Sequence, residues 1–244
     1  MNALVTGGTR GIGRAVSLQL AREGYRKIFA NYLQNDPEAE RTAKTINDLG
    51  AECILVKANL ADLDQIDNIF IQILTENLPI HAIVHCAALN SFKPLSQIKP
   101  NQWDLTMNIN SRSFLYLVQQ CLTRIPAGGS IVALSSLGSR KVVSNYGALG
   151  PAKAAMESIV RYLAVELADK GINVNAVCGG IINTTSIEKF PNYQSWLDNM
   201  IKKTPSGRIG QPKDIANAVA FLCRKESRFI TGQILIVDGG LSLL

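Results

Sequence analysis

The chain has 244 residues, and its 47% hydrophobic and 18% charged content suits one folded α/β domain and excludes a disordered chain. Lys and Arg number 25 against 19 Asp and Glu, and the net +6 admits anionic partners such as a phosphorylated cofactor or an acidic carrier protein. No zinc-finger spacing, RNA-binding element or basic tract accompanies that charge, so nucleic acid is not an expected partner.

Ala3-Leu4-Val5 reads as a short buried strand, and Gly7 onward as a turn into a helix with apolar residues at Ile12, Val16, Leu20 and Ala21 and a stop at Gly24. Lys27 to Tyr32 predicts a second strand. Asp36-Pro37-Glu38 reads as an N-cap, a proline at N1 and an acidic first turn, opening a helix that ends near Gly50. A strand follows at Cys53 to Lys57, a helix from about Leu63 to Thr75, and a strand at His81 to His85. Pro100 opens one long helical pattern running to about Arg124, and Ser130 to Leu134 makes a fifth strand with Ser135 at its carboxyl end. Pro151 to Asp169 is helical and closed by Gly171, Ile172 to Val177 is a sixth strand, and an aromatic-bearing segment precedes a helix near Lys213–Arg224 and a last strand near Gln233–Val237.

Strand and helix thus alternate with short joints and no linker or repeat. That pattern implies right-handed crossovers and a single doubly wound domain over residues 1–244, with ligands beyond the carboxyl ends of its parallel strands. The five cysteines (Cys53, Cys86, Cys121, Cys178 and Cys223) are scattered and never form a CxxC pair, which reads as reduced structural thiols in a cytoplasmic protein. With only His81 and His85, no metal site is expected. Neither a leader segment nor an apolar run of membrane length is present, so a soluble protein is expected.

Thr6-Gly7-Gly8-Thr9-Arg10-Gly11-Ile12-Gly13 lies between the first strand and the first helix. Glycines there permit a tight turn and close backbone approach, and the helix N-terminus offers free N–H groups to a pyrophosphate. The second strand ends in Ala30-Asn31-Tyr32-Leu33-Gln34, without the carboxylate that usually binds the ribose 2′-hydroxyl of NAD. Arg10 can instead pair with a 2′-phosphate, which favours NADPH; the alternative is a solvated surface arginine.

A second stretch, Ser135-Ser136-Leu137-Gly138-Ser139 through Tyr146 to Lys153, holds two serines, a tyrosine and a lysine. An ammonium near a phenol favours phenolate and lowers the tyrosine pKa, so the pair reads as a proton-donating site; read alone, Tyr146 packs and Lys153 is solvated.

Together, Thr6–Gly13, Asn110 in Met107-Asn108-Ile109-Asn110, Ser136, Tyr146 with Lys153, Gly180-Ile181-Ile182-Asn183-Thr184 and Gly232-Gln233…Asp238-Gly239-Gly240 resemble the short-chain dehydrogenase/reductase family over the whole chain. The resemblance implies a seven-stranded parallel Rossmann sheet flanked by helices, a nicotinamide cofactor and a homotetramer. It implies that Gly7, Thr9, Arg10, Gly11, Ile12 and Gly13 line the phosphates, that Asn59 and Leu60 contact adenine, and that Ala87, Ile182 and Thr184 lie about the nicotinamide side. Lys153 would grip the nicotinamide ribose, and Asn110 would hold a water or a helix kink that serves a proton relay.

Three departures stand out. His85-Cys86-Ala87-Ala88 replaces the family's Asn-Asn-Ala-Gly, and Gly179-Gly180 replaces Pro-Gly. Most reductases of the family carry tyrosine four residues before the lysine; here that position is Leu149, and Tyr146 precedes Lys153 by seven. That spacing resembles the enoyl-acyl-carrier-protein reductases, and Trp103…Thr106-Met107-Asn108-Ile109-Asn110, Thr204-Pro205-Ser206-Gly207-Arg208 and Gly239-Gly240-Leu241-Ser242-Leu243-Leu244 resemble the FabL type. In enoyl reduction hydride reaches the β-carbon while charge builds on the thioester oxygen farther along, so the proton donor must stand farther from the nicotinamide. A three-residue shift moves it about 4.5 Å along a helix; with Gly147, Gly150 and Pro151 nearby, a loop position is equally open.

Ser136 either orients substrate or only caps the strand end, and Ser139 has a weaker claim. Residues 185–210 form the family's substrate-covering segment, where Phe190, Tyr193, Trp196 and Met200 line an acyl channel or simply make core. Lys189, Lys202, Lys203 and Arg208, with Arg140 and Lys141, meet an acidic acyl carrier protein or form a solvated face. The leading expectation is NADPH-dependent reduction of an enoyl thioester in fatty-acid or polyketide synthesis. A 3-oxoacyl or other carbonyl reductase is the near rival, and a non-catalytic nucleotide-binding scaffold the third reading.

Overall fold

The computed structural model describes residues 1–185, 187 and 193–244. Its strands are β1 (Asn2–Thr6), β2 (Lys27–Tyr32), β3 (Glu52–Lys57), β4 (Ala82–His85), β5 (Ser130–Ser136), β6 (Asn173–Gly179) and β7 (Ile234–Val237). All pair in parallel in the order β3-β2-β1-β4-β5-β6-β7. Their apolar runs lack alternation because both faces are covered: every residue of β1, β4 and β6 is buried.

The helices are α1 (Gly11–Arg22), α2 (Asp36–Asp48), α3 (Leu63–Thr75), α4 (Pro100–Met107), α5 (Ser113–Cys121), α6 (Leu149–Glu166), α7 (Tyr193–Lys203) and α8 (Pro212–Leu222). On one face of the sheet, Ile66, Ile69 and Ile73 of α3, Phe114 and Leu117 of α5 and Met156 and Val160 of α6 form a core. On the other, Val16 and Leu20 of α1 pack with Ile215 and Val219 of α8. Among the described residues no helix is long and apolar enough to cross a membrane.

Three expectations about elements change. The cap of α2 is Asn35, in the left-handed region at φ 71, whose side chain accepts from Glu38 N; Asp36 instead pairs with Lys57 at 2.8 Å. The long helix expected from Pro100 is split by a π-helical turn at Asn108–Arg112. There the Asn110 amide donates to the Thr106 carbonyl at 2.9 Å, so a side chain occupies an acceptor of the helical ladder and widens the turn. Finally, the segment expected only to bear aromatics contains α7.

The order reverses between β1 and β4, where Thr6 stands beside His85. Thr6 Oγ1 accepts from Cys86 N and Ala87 N, both at 3.1 Å, and lies 3.0 Å from His85 Nδ1. A hydroxyl has one proton, which goes to Nδ1; His85 is then the Nε2–H tautomer, directed toward Ile109 of the π turn without a hydrogen-bond partner of normal geometry. Burial pushes the His85 pKa down to about 3, so the ring stays neutral and braces the sheet where the family's asparagine would stand. Thr6→Val, equal in shape, would leave two N–H groups and Nδ1 unpaired; urea denaturation should show a loss of about 2 kcal/mol, whereas an unchanged midpoint would remove Thr6 from this role.

Candidate active site

Gly7 and Gly11 adopt φ 59 and φ 51, and a Cβ on Gly13 would collide with the Gly7 carbonyl, so the turn between β1 and α1 exists only with glycine at these positions. Gly7 lies against Ala87, where a Cβ would sit 3.2 Å from its Cα, and Gly11 faces Thr184, whose Cγ2 would be 3.6 Å away. The turn thus brings the expected phosphate and nicotinamide residues to one edge. Asn31 stiffens it: Oδ1 accepts from Gly7 N, and the amide donates to the Val56 and Ala58 carbonyls. Arg10 is exposed at the N-cap of α1 and makes no side-chain cap bond, so the first-turn N–H groups are open to an anion. This cradle fits a dinucleotide.

Thr9 is buried and its carbonyl takes the Thr42 hydroxyl at 2.8 Å; Ile12 is half-buried. Asn59 Oδ1 accepts from Ala61 N, while the Leu60 side chain lies in the core. Ile182 is buried and bridges to Gly210. Gly180, the second residue of the Gly179-Gly180 pair, stands where a Cβ would lie 2.6 Å from Asp238 Cβ, so close approach of the two segments requires glycine there.

Tyr146 takes the loop option rather than the helical one. It lies three residues before the start of α6, and its carbonyl accepts from Gly150 N at 2.9 Å. Asn145 before it is left-handed at φ 60, and Gly147 after it approaches Lys93 and Leu95 so closely that a Cβ would lie 2.5 Å from Leu95 N. The ring packs edge-on to Phe92 and rests on Gly138, where a Cβ would be 2.8 Å from Cδ1. Leu149, four residues before Lys153, is 6% exposed and belongs to the core.

The expected lowering of the Tyr146 pKa by the Lys153 ammonium is not found. Lys153 Nζ donates to the Leu134 carbonyl at 2.6 Å, and burial raises the Tyr146 pKa, opposed only by a hydrogen bond with Ser136 that favours phenolate. Tyr146 is therefore protonated, with the Ser136 hydroxyl directed at its oxygen. Lys153 is 3% exposed, and burial pushes its pKa down to about 8, resisted by Cys86, Cys178 and Glu157. An ammonium has three donors, so Lys153 retains capacity for a ligand hydroxyl beyond Leu134.

Ser136 also accepts from Gly138 N at 3.4 Å, so it caps the turn after β5 as well as meeting the phenol. Asn110 holds the kink through Thr106 and Leu89, and its buried Oδ1 lacks a protein partner, which fits an internal water. Of the covering segment, Tyr193, Trp196 and Met200 are half-buried on α7, whereas Lys189 and Phe190 lie outside the described residues. Arg208 is bound to Asp214 at 2.6 Å, Arg140 faces Glu157 at 3.7 Å and Lys141 donates to the Leu241 carbonyl; these three are exposed, as are Lys202 and Lys203 on α7. Among the described residues no cluster of His, Cys, Asp and Glu can hold a metal.

Two contributors went unpredicted. The Lys93–Leu95 segment shapes the tyrosine loop and carries no motif; Glu157, buried beneath Ser135 and Ser139, follows Lys153 by one helical turn, and that period was the available signal.

Residues 7–242 match the family model described as Enoyl-(Acyl carrier protein) reductase. The 1-cyclohexenylcarbonyl-CoA reductase of Streptomyces collinus is 37% identical over 244 residues, covering 99% of this chain and 87% of that protein. The 3-oxoacyl-[acyl-carrier-protein] reductase FabG of Staphylococcus aureus is 32% identical, covering 98% and 97%. Among solved structures, the promiscuous reductase LugOII, described as catalysing keto-reduction at C1 during lugdunomycin biosynthesis, superposes with a TM-score of 0.92 at 31% identity, covering 100% of this chain and 98% of its own.

The buried ammonium is directly measurable. Lysine Nζ titration by NMR should reveal one group with a pKa of about 8, charged below that pH and neutral above it, that disappears in Lys153→Met. Uniform titration of all lysines near their ordinary value would contradict the desolvated site.

Proposed function

The chain belongs to the short-chain dehydrogenase/reductase family and is an oxidoreductase with a nicotinamide cofactor; from that premise we propose that it reduces the carbon–carbon double bond of an enoyl thioester, using NADPH. The observation that carries the reading is Leu149 packed in the core at the family's usual tyrosine position, with the phenol supplied by Tyr146 from the preceding loop. The Streptomyces relative supports it, since a 1-cyclohexenylcarbonyl thioester carries a double bond conjugated to its carbonyl.

A bound nicotinamide supplies the hydride. Lys153 holds the cofactor ribose, and Gly7, Gly11 and Gly13, with the open N-terminus of α1, hold the phosphates. The end of β2 has no carboxylate to repel a 2′-phosphate, Asp36 is engaged by Lys57, and exposed Arg10 is available to pair with that phosphate. As hydride reaches the β-carbon, negative charge moves to the thioester oxygen. The Tyr146 hydroxyl, kept protonated by burial and aligned by Ser136, donates its proton to that oxygen. The resulting enol becomes the saturated thioester as its α-carbon takes a proton from water and its hydroxyl proton is released. Asn110 and its unpaired Oδ1 order the water that restores the proton.

The second reading, reduction of a 3-oxoacyl group, is favoured by the Staphylococcus relative and the LugOII structure. Ser136, Tyr146 and Lys153, all retained, argue against a non-catalytic scaffold. Exposed Lys202 and Lys203 support an acidic carrier protein as the bearer of the acyl group. Apolar groups exposed on β7 (Leu235 and Ile236) and at Phe229, and on α6 at Tyr162 and Val165, support a homotetramer that covers both faces. Five free thiols suit a reducing cytoplasm.

NADPH oxidation with a crotonyl thioester beside an acetoacetyl thioester tests the proposal. Turnover of the crotonyl substrate is expected, with a loss of about 10²- to 10⁴-fold in Tyr146→Phe. Turnover of the acetoacetyl substrate alone would overturn it.

A further inference from the structure

The proposed chemistry leaves one buried charge without a task. Glu157 lies on α6 and is buried. Its Oε1 accepts from Ser135 Oγ and Ser139 Oγ, each at 2.6 Å, and its Oε2 faces Arg140 Nε at 3.7 Å. A carboxylate withdrawn from water is tolerated only where donors replace the water. Here the donors all come from Ser135–Arg140, the stretch that contains Ser136. The carboxylate and the turn therefore hold one another in place.

The link from that turn to the phenol is steric and polar together. Ser139 Oγ also reaches the Ser136 carbonyl at 2.8 Å, so its single proton serves two acceptors that both fix the turn. Gly138 supports the Tyr146 ring from one side, and its carbonyl would lie 2.7 Å from a Cβ on Gly150, so turn, ring and helix leave no slack between them. Lys153, one turn before Glu157 on α6, adds electrostatic attraction to the carboxylate while its ammonium donates to the Leu134 carbonyl.

We propose that Glu157 is a positioning residue: through Ser135, Ser139 and Arg140 it clamps the turn after β5 to α6 and so fixes where Ser136 and the Tyr146 hydroxyl meet the substrate. The inference rests on the reading of Ser136 and Tyr146 as the working hydroxyls.

The test uses Ser139→Ala, Glu157→Ala and Glu157→Gln in the full chain, with 3-fluorotyrosine at position 146 as a second readout. Ser139→Ala keeps the carboxylate and its bond from Ser135, so it guards against simple misfolding. The expected result is a fall in crotonyl-thioester kcat of about 10- to 100-fold in Ser139→Ala and Glu157→Ala, with NADPH affinity unchanged. Glu157→Gln should recover most of the loss, because its amide oxygen still accepts from both serines. The fluorine resonance should shift or broaden in the two alanine variants and return toward its original position in Glu157→Gln. A lowered melting temperature with kcat and the fluorine resonance both unchanged would overturn the proposal. So would a Glu157→Gln as damaged as Glu157→Ala. If the wild-type protein reduces neither thioester, the functional reading fails, and the fluorine spectra alone still decide whether Glu157 positions Tyr146.

Discussion

The close approach of Gly138 and Gly150 is the constraint on which the site depends. It lets the turn after β5 press against the first turn of α6, with Leu149 directed into the core and only the preceding loop left to carry a phenol. Left-handed Asn145 and tightly packed Gly147 then present Tyr146 beside Ser136. A side chain on either glycine of the contact would separate the turn from the helix and carry the two hydroxyls apart. The distinctive chemistry proposed for this chain is a consequence of backbone proximity before it is a consequence of charge.

Burial then decides the protonation states. His85 is held neutral, Tyr146 is held protonated, and Lys153 is the one cation at the base of the site, its pKa lowered to about 8. With little water to screen it, that ammonium acts on ligand groups more strongly than a surface lysine would. In the proposed reaction the phenol would work as a fixed hydrogen-bond donor rather than as a ready anion, which matches charge that develops on a remote oxygen. A ketone reductase needs its proton beside the carbon that receives hydride; an enoyl reductase does not.

Much of the fold was legible in the sequence. Uninterrupted apolar runs marked strands buried on both faces, and the glycines of Gly7–Gly13 marked a turn that tolerates no Cβ. The seven-residue interval between Tyr146 and Lys153 was readable, and its meaning for the distance between donor and nicotinamide belongs to the proposal. What escaped were features made by tertiary contact. The kink at Asn110 was legible only through the family resemblance; the π turn at Asn108–Arg112, where the Asn110 amide competes for a helical carbonyl, is an outcome that local propensity does not encode. Asp36 looked like a cap because it precedes Pro37, yet Lys57, distant in sequence, claims it and leaves the cap to Asn35. The pKa of Tyr146 was misjudged for the same reason: proximity to Lys153 in sequence did not become contact, and desolvation prevailed.

The central claim is that the Tyr146 loop addresses the thioester oxygen of a conjugated substrate. A crystal structure with NADP⁺ and crotonyl-CoA tests it most directly. The account predicts Tyr146 Oη about 2.6–3.2 Å from the thioester oxygen, with the β-carbon turned to the nicotinamide. A thioester oxygen bound by other groups, with Tyr146 Oη beside the β-carbon, would contradict it.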